Sequence, residues 1–521
     1  MNRLILIACY VLISVATFGQ NSDQELKQKL LLKGNELYKE AKYSKALPVY
    51  LELDELGSTA APAKIGDCYR EMNDLANAEK YYARAVEQKN VHHRYFLYYG
   101  QALMSNAKYE EAKEWFLKCK AADPNNASVD ALITACEQAI KTSVSVKSVS
   151  NIKVQNLDIN SSEADFSPYF YDKGIIFTSS RSESIIRKKD SWTNTGFLDV
   201  FYAPIHWRDT VAVVEKLKGA VNTFNFHDGP ACVNKTASKM YFTRNNVVAG
   251  SATESKSGDI KLKIFSAEKT GEGFKNIVEL DFNSDEYSCA YPSINADETV
   301  IYFASDKAGG LGGTDIYYST YNKEKFRWNK PVNAGPVINT PQDERFPFIH
   351  ENGTLYFASN GHIGLGGLDI FAAKPDTTAP LLFVSIQNLG SPINSSKDDF
   401  GYILDPSERT GYFSSNREGG KGNDDIYTFT SASIPINITI TVADVSKENI
   451  IISIIDNLTK KLVEQGFSDE MGLYFGRLEP NKSYVIQAEK TGYITTTKSI
   501  QTTSGGQQPI QVDLSLTPEN N

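Results

Sequence analysis

Carboxylates, glycine-rich loops and histidines are the residues of this chain that could do chemistry. Adjacent acids stand at Asp398-Asp399 and Asp424-Asp425. Such pairs suit calcium ligation or paired carboxylate catalysis; solvated turn carboxylates give the same pattern and are the preferred reading. Glycine-rich runs at Ala308–Gly313, Ile363–Gly367 and Gly419–Gly422 resemble phosphate loops, but each joins strand to strand. No helix N-terminus follows to hold an anion, so tight turns needing positive φ account for them. The histidines are His92, His93, His206, His227, His350 and His362, with no shared spacing, and His350-Glu351 lacks the second His of a zinc-protease helix. There is no GxSxG nucleophile elbow. No catalytic, cofactor or metal residues follow from the sequence.

The elements that would position these residues recur five times between residues 160 and 430. Each copy opens on an apolar residue, Asn, then Ser or Thr, with the amides at Asn160, Asn222, Asn283, Asn339 and Asn394. Each continues through an aromatic strand, such as Tyr302-Phe303-Ala304-Ser305, and ends on an acid before a second apolar strand, at Asp199, Asp259, Asp315, Asp369 and Asp425. The Asn-to-Asn spacings are 62, 61, 56 and 55. All-β repetition at that period predicts a β-propeller of five blades. A residue present in every blade serves the blade, so these Asn and Asp residues are read as structural. An outer strand precedes each Asn step, at Ala212–Leu217, Asn276–Leu280, Pro331–Val337 and Leu381–Ile386, and the leftover Ser148–Ile159 strand is expected to close the ring on the last blade.

Two blades differ from the rest. From the central Phe to the Asp the count is 12 in the last three blades, 22 in the first and 17 in the second. The long loops Ser180–Leu198 and Thr243–Gly258 therefore fall at the same place in adjacent blades, and long loops on a rigid scaffold are where binding residues gather. Arg181, Arg187, Lys188, Lys189 and Trp192 are the candidate partner-binding residues, with the basic run facing an acidic partner; a solvated loop is the plainer alternative.

Residues 24–141 are helical and repeat too, through Gly34, Gly66 and Gly100, each followed at fixed spacing by Ala46, Ala78 or Ala112 and by Tyr50, Tyr82 or Phe116. The small residues let paired helices approach and the aromatics fill the gap. Residues 436–517 alternate as strands, expected as a small β-sandwich of immunoglobulin-like or transthyretin-like type. The expected fold is an α-solenoid at 24–141, a five-bladed propeller at 148–430 and a sandwich at 436–517.

The formal charge of -9 and the absence of a long basic run weigh against nucleic acid. Arg3, the apolar Leu4–Ala16 stretch and Gly19 read as a signal peptide over residues 1–19. Leu6-Ile7-Ala8-Cys9 offers lipoprotein processing as a rival. The other cysteines, Cys68, Cys119, Cys136, Cys232 and Cys289, form no CxxC and are expected as small buried apolar residues, with one disulfide pair still possible.

The helical copies resemble the tetratricopeptide repeat. The β repeat resembles the WD40-like, TolB-type repeat; Pro168, Pro230, Pro292 and Pro347 match its proline before the strand, while Gly401 departs. Gly472-Leu473-Tyr474-Phe475, Leu478-x-Pro480 and Gly492-Tyr493 resemble the carboxypeptidase regulatory-like domain. That domain order is similar to PorE-like envelope proteins of Bacteroidota. The resemblance implies a non-catalytic periplasmic or outer-membrane-associated adaptor without cofactor. Its implied partners are envelope proteins, an outer-membrane barrel of the type IX secretion and gliding system among them. A propeller-based glycan or peptide binder, or a hydrolase, is the alternative. Those relatives continue into an OmpA-like domain that grips peptidoglycan; here the sequence runs to Asn521 directly after the sandwich, so peptidoglycan binding is not carried over. Mass spectrometry of the mature N-terminus should find Gln20; an intact Met1 or a lipidated Cys9 would overturn the signal-peptide reading.

Overall fold

The computed structural model describes residues 23–145, 152–181, 189–190, 192–205, 213–248, 250–431, 436–443, 449–479, 482–502 and 510–519. The expected signal peptide, Arg187, Lys188 and the 432–435 linker lie outside the described residues. By packing, the described residues up to Ile133 and those within Lys188–Gly196 form one unit, and the other described residues form the second. No described helix is long and apolar enough to cross a membrane.

In the helical region, α1 (23–39), α2 (Tyr43–Glu55), α3 (Ala61–Glu71), α4 (Leu75–Val86), α5 (Arg94–Ser105), α6 (Tyr109–Ala122) and α7 (Ala127–Ser145) follow one another. The repeated glycines do what their spacing implied. A Cβ on Gly34 would lie 2.4 Å from the Tyr50 ring, one on Gly66 2.6 Å from Tyr82, and one on Gly100 2.5 Å from Phe116. Only hydrogen at those positions lets the second helix of each pair lay its ring on the first. The next residue finishes the contact: Tyr50 Oη donates to Asn35 Oδ1 at 2.8 Å and Tyr82 Oη to Asp67 Oδ1 at 3.1 Å. The third pair has Phe116, which has no hydroxyl, and Gln101.

The large β region contains five small antiparallel sheets of repeat length. Sheet 1 runs Asp165–Tyr171, Gly174–Ser179, Asp199–Pro204, Glu215–Lys216; sheet 2 runs Asp228–Val233, Lys239–Asn245, Leu262–Thr270, Gly273–Glu279. Sheet 3 runs Cys289–Ile294, Val300–Ser305, Asp315–Asn322, with both Arg327–Trp328 and Val332–Asn333 on its outer edge. Sheet 4 runs Glu344–Ile349, Leu355–Ser359, Asp369–Pro375, Phe383–Asn388. Sheet 5 takes Asp399–Leu404, Thr410–Ser415 and Asp425–Ser431 from its own repeat and Ile152–Asn156 from far upstream. That strand pairs antiparallel with Asp425–Ser431, Ile152 opposite Ser431 and Asn156 opposite Tyr427. The innermost strand of each sheet lies beside that of the next, and the fifth beside the first.

Every recurring Asn makes the same two bonds. Its Oδ1 accepts the backbone N–H, and its Nδ2 donates to the carbonyl, of one residue in a third strand: Asn222 with Val200, Asn283 with Ile264, Asn339 with Ile316, Asn394 with Ile370, at 2.7–3.0 Å. A side-chain amide has the donor and acceptor of a peptide group, so it extends the ladder where the chain leaves the outer strand. Asn160 does this to Ile426, at 2.9 and 2.8 Å, across 266 residues.

The C-terminal strands form two sheets over one apolar core that includes Ile438, Ile440, Ile452, Ile454 and Ile486. One has Leu473–Leu478, Ile436–Ala443 and Ile510–Ser515; the other has Leu462–Phe467, Ile451–Asp456, Ser483–Glu489 and Thr496–Gln501. Leu462–Phe467 and Thr496–Gln501 were not foreseen from sequence: the first mixes apolar and polar residues without a buried side, and the second is mostly polar and exposed. The sandwich is joined to sheet 4 by a half-buried polar contact: Arg477 Nη2 donates to Tyr356 Oη at 2.6 Å, and Gln387 bonds Glu464.

Replacing Asn160 by Ala should lower stability by about 1–3 kcal/mol, since the buried N–H of Ile426 loses its partner while its C=O keeps only the Leu157 N–H. Chemical denaturation reads the loss, and hydrogen exchange should show it first at Ile426. Unchanged protection there would mean that the clamp does not hold the circular order.

Candidate functional site

A second acid in each repeat, not singled out in the sequence, turns out to organise the sheets. Asp165, Asp228, Glu344 and Asp399 begin innermost strands and are fully buried. The Ser or Thr after each recurring Asn donates to it through N–H and hydroxyl: Ser161 to Asp165, Thr223 to Asp228, Thr340 to Glu344, Ser395 to Asp399. Arginine supplies the opposite charge in three sheets, pairing Arg181 with Asp165, Arg244 with Asp228 and Arg417 with Asp399, each at 2.5 Å. The same guanidinium groups donate to the carbonyls of Ile159, Val221 and Ile393.

The exceptions compensate. In sheet 3 the acid position holds Cys289, Lys307 stands where the arginine would, and Tyr287 Oη donates to the equivalent Phe282 carbonyl at 3.1 Å. In sheet 4 His362 Nε2 meets the Ile338 carbonyl at 2.8 Å, and burial pushes its pKa down to about 4. Its acid, Glu344, is pushed up by burial, so both groups lean to the neutral form. The sequence signal was there: an acid five or six residues after four of the five Asn residues and a cation just past the aromatic strand. Asp399 is thus a buried ion-pair member rather than the solvated turn carboxylate expected, and Arg181 is held inside its sheet rather than offered to a partner.

The third-strand acids are also internal. Asp315 accepts the N–H groups of Leu311 and Gly312, Asp369 those of Leu365 and Gly366, and Asp425 those of Lys421 and Gly422. These close the glycine-rich turns. Asn333 and Asn156 donate to Asp315 and Asp425, at 2.8 and 2.9 Å, and Lys216 pairs with Asp199 at 2.8 Å. Asp259 does not belong to this set. It is exposed, and the residue in register is Lys263, which lies opposite Arg244 and precedes Ile264. Lys263 is buried and pairs with Glu279 at 2.9 Å, the Asp199–Lys216 pair with its signs exchanged. A motif search for Asp before an apolar residue finds Asp259-Ile260 because it cannot anticipate that exchange.

The axis is filled. One extra residue bulges each innermost strand, between Phe166 and Tyr169, Asp228 and Ala231, Ala290 and Ser293, Arg345 and Phe348, and Phe400 and Ile403. Ser167, Gly229, Tyr291, Phe346 and Gly401 have positive φ there. The bulges turn aromatic rings onto one another, Tyr291 to Phe346 at 4.1 Å and Phe346 to Phe400 at 4.6 Å. Pro168, Pro230, Pro292 and Pro347 line a cavity of about 20 Å³, room for one water.

Of the proposed partner-binding residues, Lys189 is exposed and Arg187 and Lys188 lie outside the described residues. Trp192 is half exposed and already engaged. Its ring meets Tyr43 edge-on at 5.0 Å, its Nε1–H donates to the Glu71 carbonyl at 2.9 Å, and its own carbonyl accepts the Ser44 N–H at 3.2 Å. Trp192 therefore satisfies a C-terminal carbonyl of α3 and an N-terminal amide of α2, which has no side-chain cap. Asp190 holds the tip by accepting from the N–H groups of Trp192 and Thr193. Beside it a seam of aromatic and charged groups links successive pairs: Tyr38 donates to Glu71 at 3.2 Å, Lys64 lies over Tyr38, and Arg70 lies 4.3 Å from Tyr98. All five described cysteines are buried free thiols, which excludes a disulfide among them, and burial pushes Cys68, Cys232 and Cys289 up to about 12. Among the described residues no cluster of His, Cys, Asp or Glu could hold a metal ion.

The tetratricopeptide repeat model matches residues 63–92 and 94–126. No curated protein matches the chain. The chain is similar to the second TPR domain of human RPAP3, solved in complex with an HSP70 peptide, at 21% identity and a TM-score of 0.21, over 22% of this chain and 98% of that one. It is similar to the Yersinia enterocolitica type III secretion chaperone SycD, solved with a peptide of YopD, at 17% identity and a TM-score of 0.19, over 22% and 88%. The β region is similar to a putative TolB from Agrobacterium tumefaciens, at 11% identity and a TM-score of 0.31, over 63% and 97%.

Asp369 gives a pH test. It is fully buried, its Oδ1 has no hydrogen-bond partner, and burial, with Asp399 and Asp398 adding to it, holds its pKa well above the usual carboxylate range. A raised folded-state pKa contributes stability below the unfolded value and loses it as pH rises through the folded value. Asp369→Asn should therefore melt higher than wild type at pH 8, with the gain shrinking toward pH 4. Thermal melts across that range check it; a gain independent of pH would refute the assignment.

Proposed function

We propose that this chain is a non-catalytic scaffold of the bacterial envelope that binds other envelope proteins, and that the type IX secretion and gliding machinery is the system it serves. In this reading the five sheets are the blades of a closed WD40-like propeller, the C-terminal sandwich is a carboxypeptidase regulatory-like domain, and the protein is exported by a cleaved signal peptide to the periplasmic side of the outer membrane.

The helical array carries the reading. Its repeats match the tetratricopeptide model, and stacked helix pairs of this kind present an extended surface to other chains. The Tyr38–Glu71–Arg70–Tyr98 seam gives that surface aromatic and charged anchors of the type that dominate protein contacts. The β region supports it from the other side. Its recurring polar residues are consumed by the sheets that carry them, and its axis is packed with aromatic rings. The cavity between Pro168, Pro230, Pro292 and Pro347, at about 20 Å³, has no room for a glycan or peptide, which weighs against a ligand-binding or hydrolytic channel at that place.

Crosslinking pull-down from envelope fractions should recover the same outer-membrane proteins with full-length protein as bait on each repeat, and lose them with a variant lacking residues 21–141. If the shortened variant recovers the same set, the helical surface is not the docking site and the 436–517 sandwich takes its place.

A further inference from the structure

Among the described residues, sheet 3 carries an element that sheets 1, 2, 4 and 5 lack. Those have four strands each; sheet 3 has a fifth, Arg327–Trp328, returning on Tyr321 and Asn322 as a short hairpin. At its tip Phe326 is 82% exposed and has a φ of 49°. Aromatic residues rarely occupy the left-handed region, where Gly or Asn would sit without strain. A turn made only for tightness would hold one of those, and one made only for solubility would need no phenyl ring.

The hairpin is built to hold that ring out. Asn322 Oδ1 accepts the N–H groups of Glu324 and Lys325 at 3.1 and 3.0 Å. Its base is anchored by Trp328, buried against Tyr321 and Tyr241 at 5.2 and 6.2 Å, with its N–H donated to Asp281 at 3.2 Å. Around the tip, Lys323, Lys325, Arg327 and Lys330 are exposed, and none takes part in an ion pair among the described residues. Residues 323–330 thus hold four cations and one acid, Glu324, in a chain whose formal charge is -9.

We propose that this hairpin docks on an anionic phospholipid surface, Phe326 entering the headgroup–acyl boundary and the four cations meeting lipid phosphates. An aromatic ring with a basic surround is the chemistry of an interfacial anchor, and the local charge is opposite both to the lipid and to the rest of the protein. The proposal takes from the preceding reading only that the protein meets a membrane. The vesicle assay is independent of the pull-down, so either can fail without the other.

The test is co-sedimentation of full-length protein with phosphatidylglycerol vesicles and with phosphatidylcholine vesicles. Binding is expected to the first and not the second, and to fall away at about 0.5 M salt, where screening shortens the reach of the lysines. Phe326→Gly should melt higher than wild type, because glycine relieves the left-handed strain, while binding phosphatidylglycerol about tenfold more weakly. Lys323→Gln with Lys325→Gln should weaken binding by a similar factor without changing the melt, since both lysines are solvent-exposed. Equal binding to both vesicles, or undiminished binding by Phe326→Gly, would overturn the proposal. So would wild-type protein that ignores vesicles yet loses a captured acidic protein on the same substitutions, an outcome that assigns the hairpin to protein recognition.

Discussion

A side-chain amide that imitates a peptide group is the interaction on which the β region depends. Each small sheet has a third strand whose outer edge is only partly covered by its fourth, and the chain must leave that fourth strand to begin the next repeat. The recurring Asn sits at the departure point and gives one third-strand residue both the acceptor and the donor that a longer strand would have given. Because the bond pair is bidentate, it fixes orientation as well as distance. The copy at Asn160 joins the start of the β region to Ile426 near its end, with the adjacent strand at Ile152–Asn156. Local bonding rules thus produce a long-range closure.

Charge is arranged inside this frame with little freedom. A carboxylate at the start of an innermost strand is fully buried, so its desolvation must be offset, and three sheets do so with an arginine that also caps a carbonyl of the preceding crossover. Where the acid is missing, as at Cys289, the arginine is missing too, and Tyr287 covers the carbonyl. Where the cation is a histidine, burial drives His362 and Glu344 toward neutrality together. The Asp199–Lys216 and Lys263–Glu279 pairs show the same constraint with signs exchanged. What each site requires is a partner for the crossover carbonyl and an offset for any buried charge, rather than a particular residue.

This accounts for the residues first read as candidates. Paired acids, glycine loops and basic residues drew notice because their types can catalyse or bind. In place, the glycine loops are turns closed by Asp315, Asp369 and Asp425, Arg181 belongs to Asp165, and Trp192 caps two helix ends. The features without a counterpart in other repeats are the helical seam around Arg70 and the basic hairpin around Phe326.

The sequence by itself determined the periodic part of this protein. Gly34, Gly66 and Gly100 with their aromatics, the five Asn positions and the closing strand were legible because each is a local contact repeated at fixed spacing, and repetition separates signal from chance. It could not show that Asp259 lies outside its set while Lys263 lies within, because the two satisfy different local patterns and only strand register chooses between them. Nor could it show that Asp399 is buried, that the bulges turn phenyl rings into the axis, or that Leu462–Phe467 pairs as a strand. Those outcomes depend on which residues from distant repeats share a layer, and burial, pKa and pairing are properties of that neighbourhood and not of the residue. Tertiary structure decided them because desolvation is settled only when the last neighbour arrives.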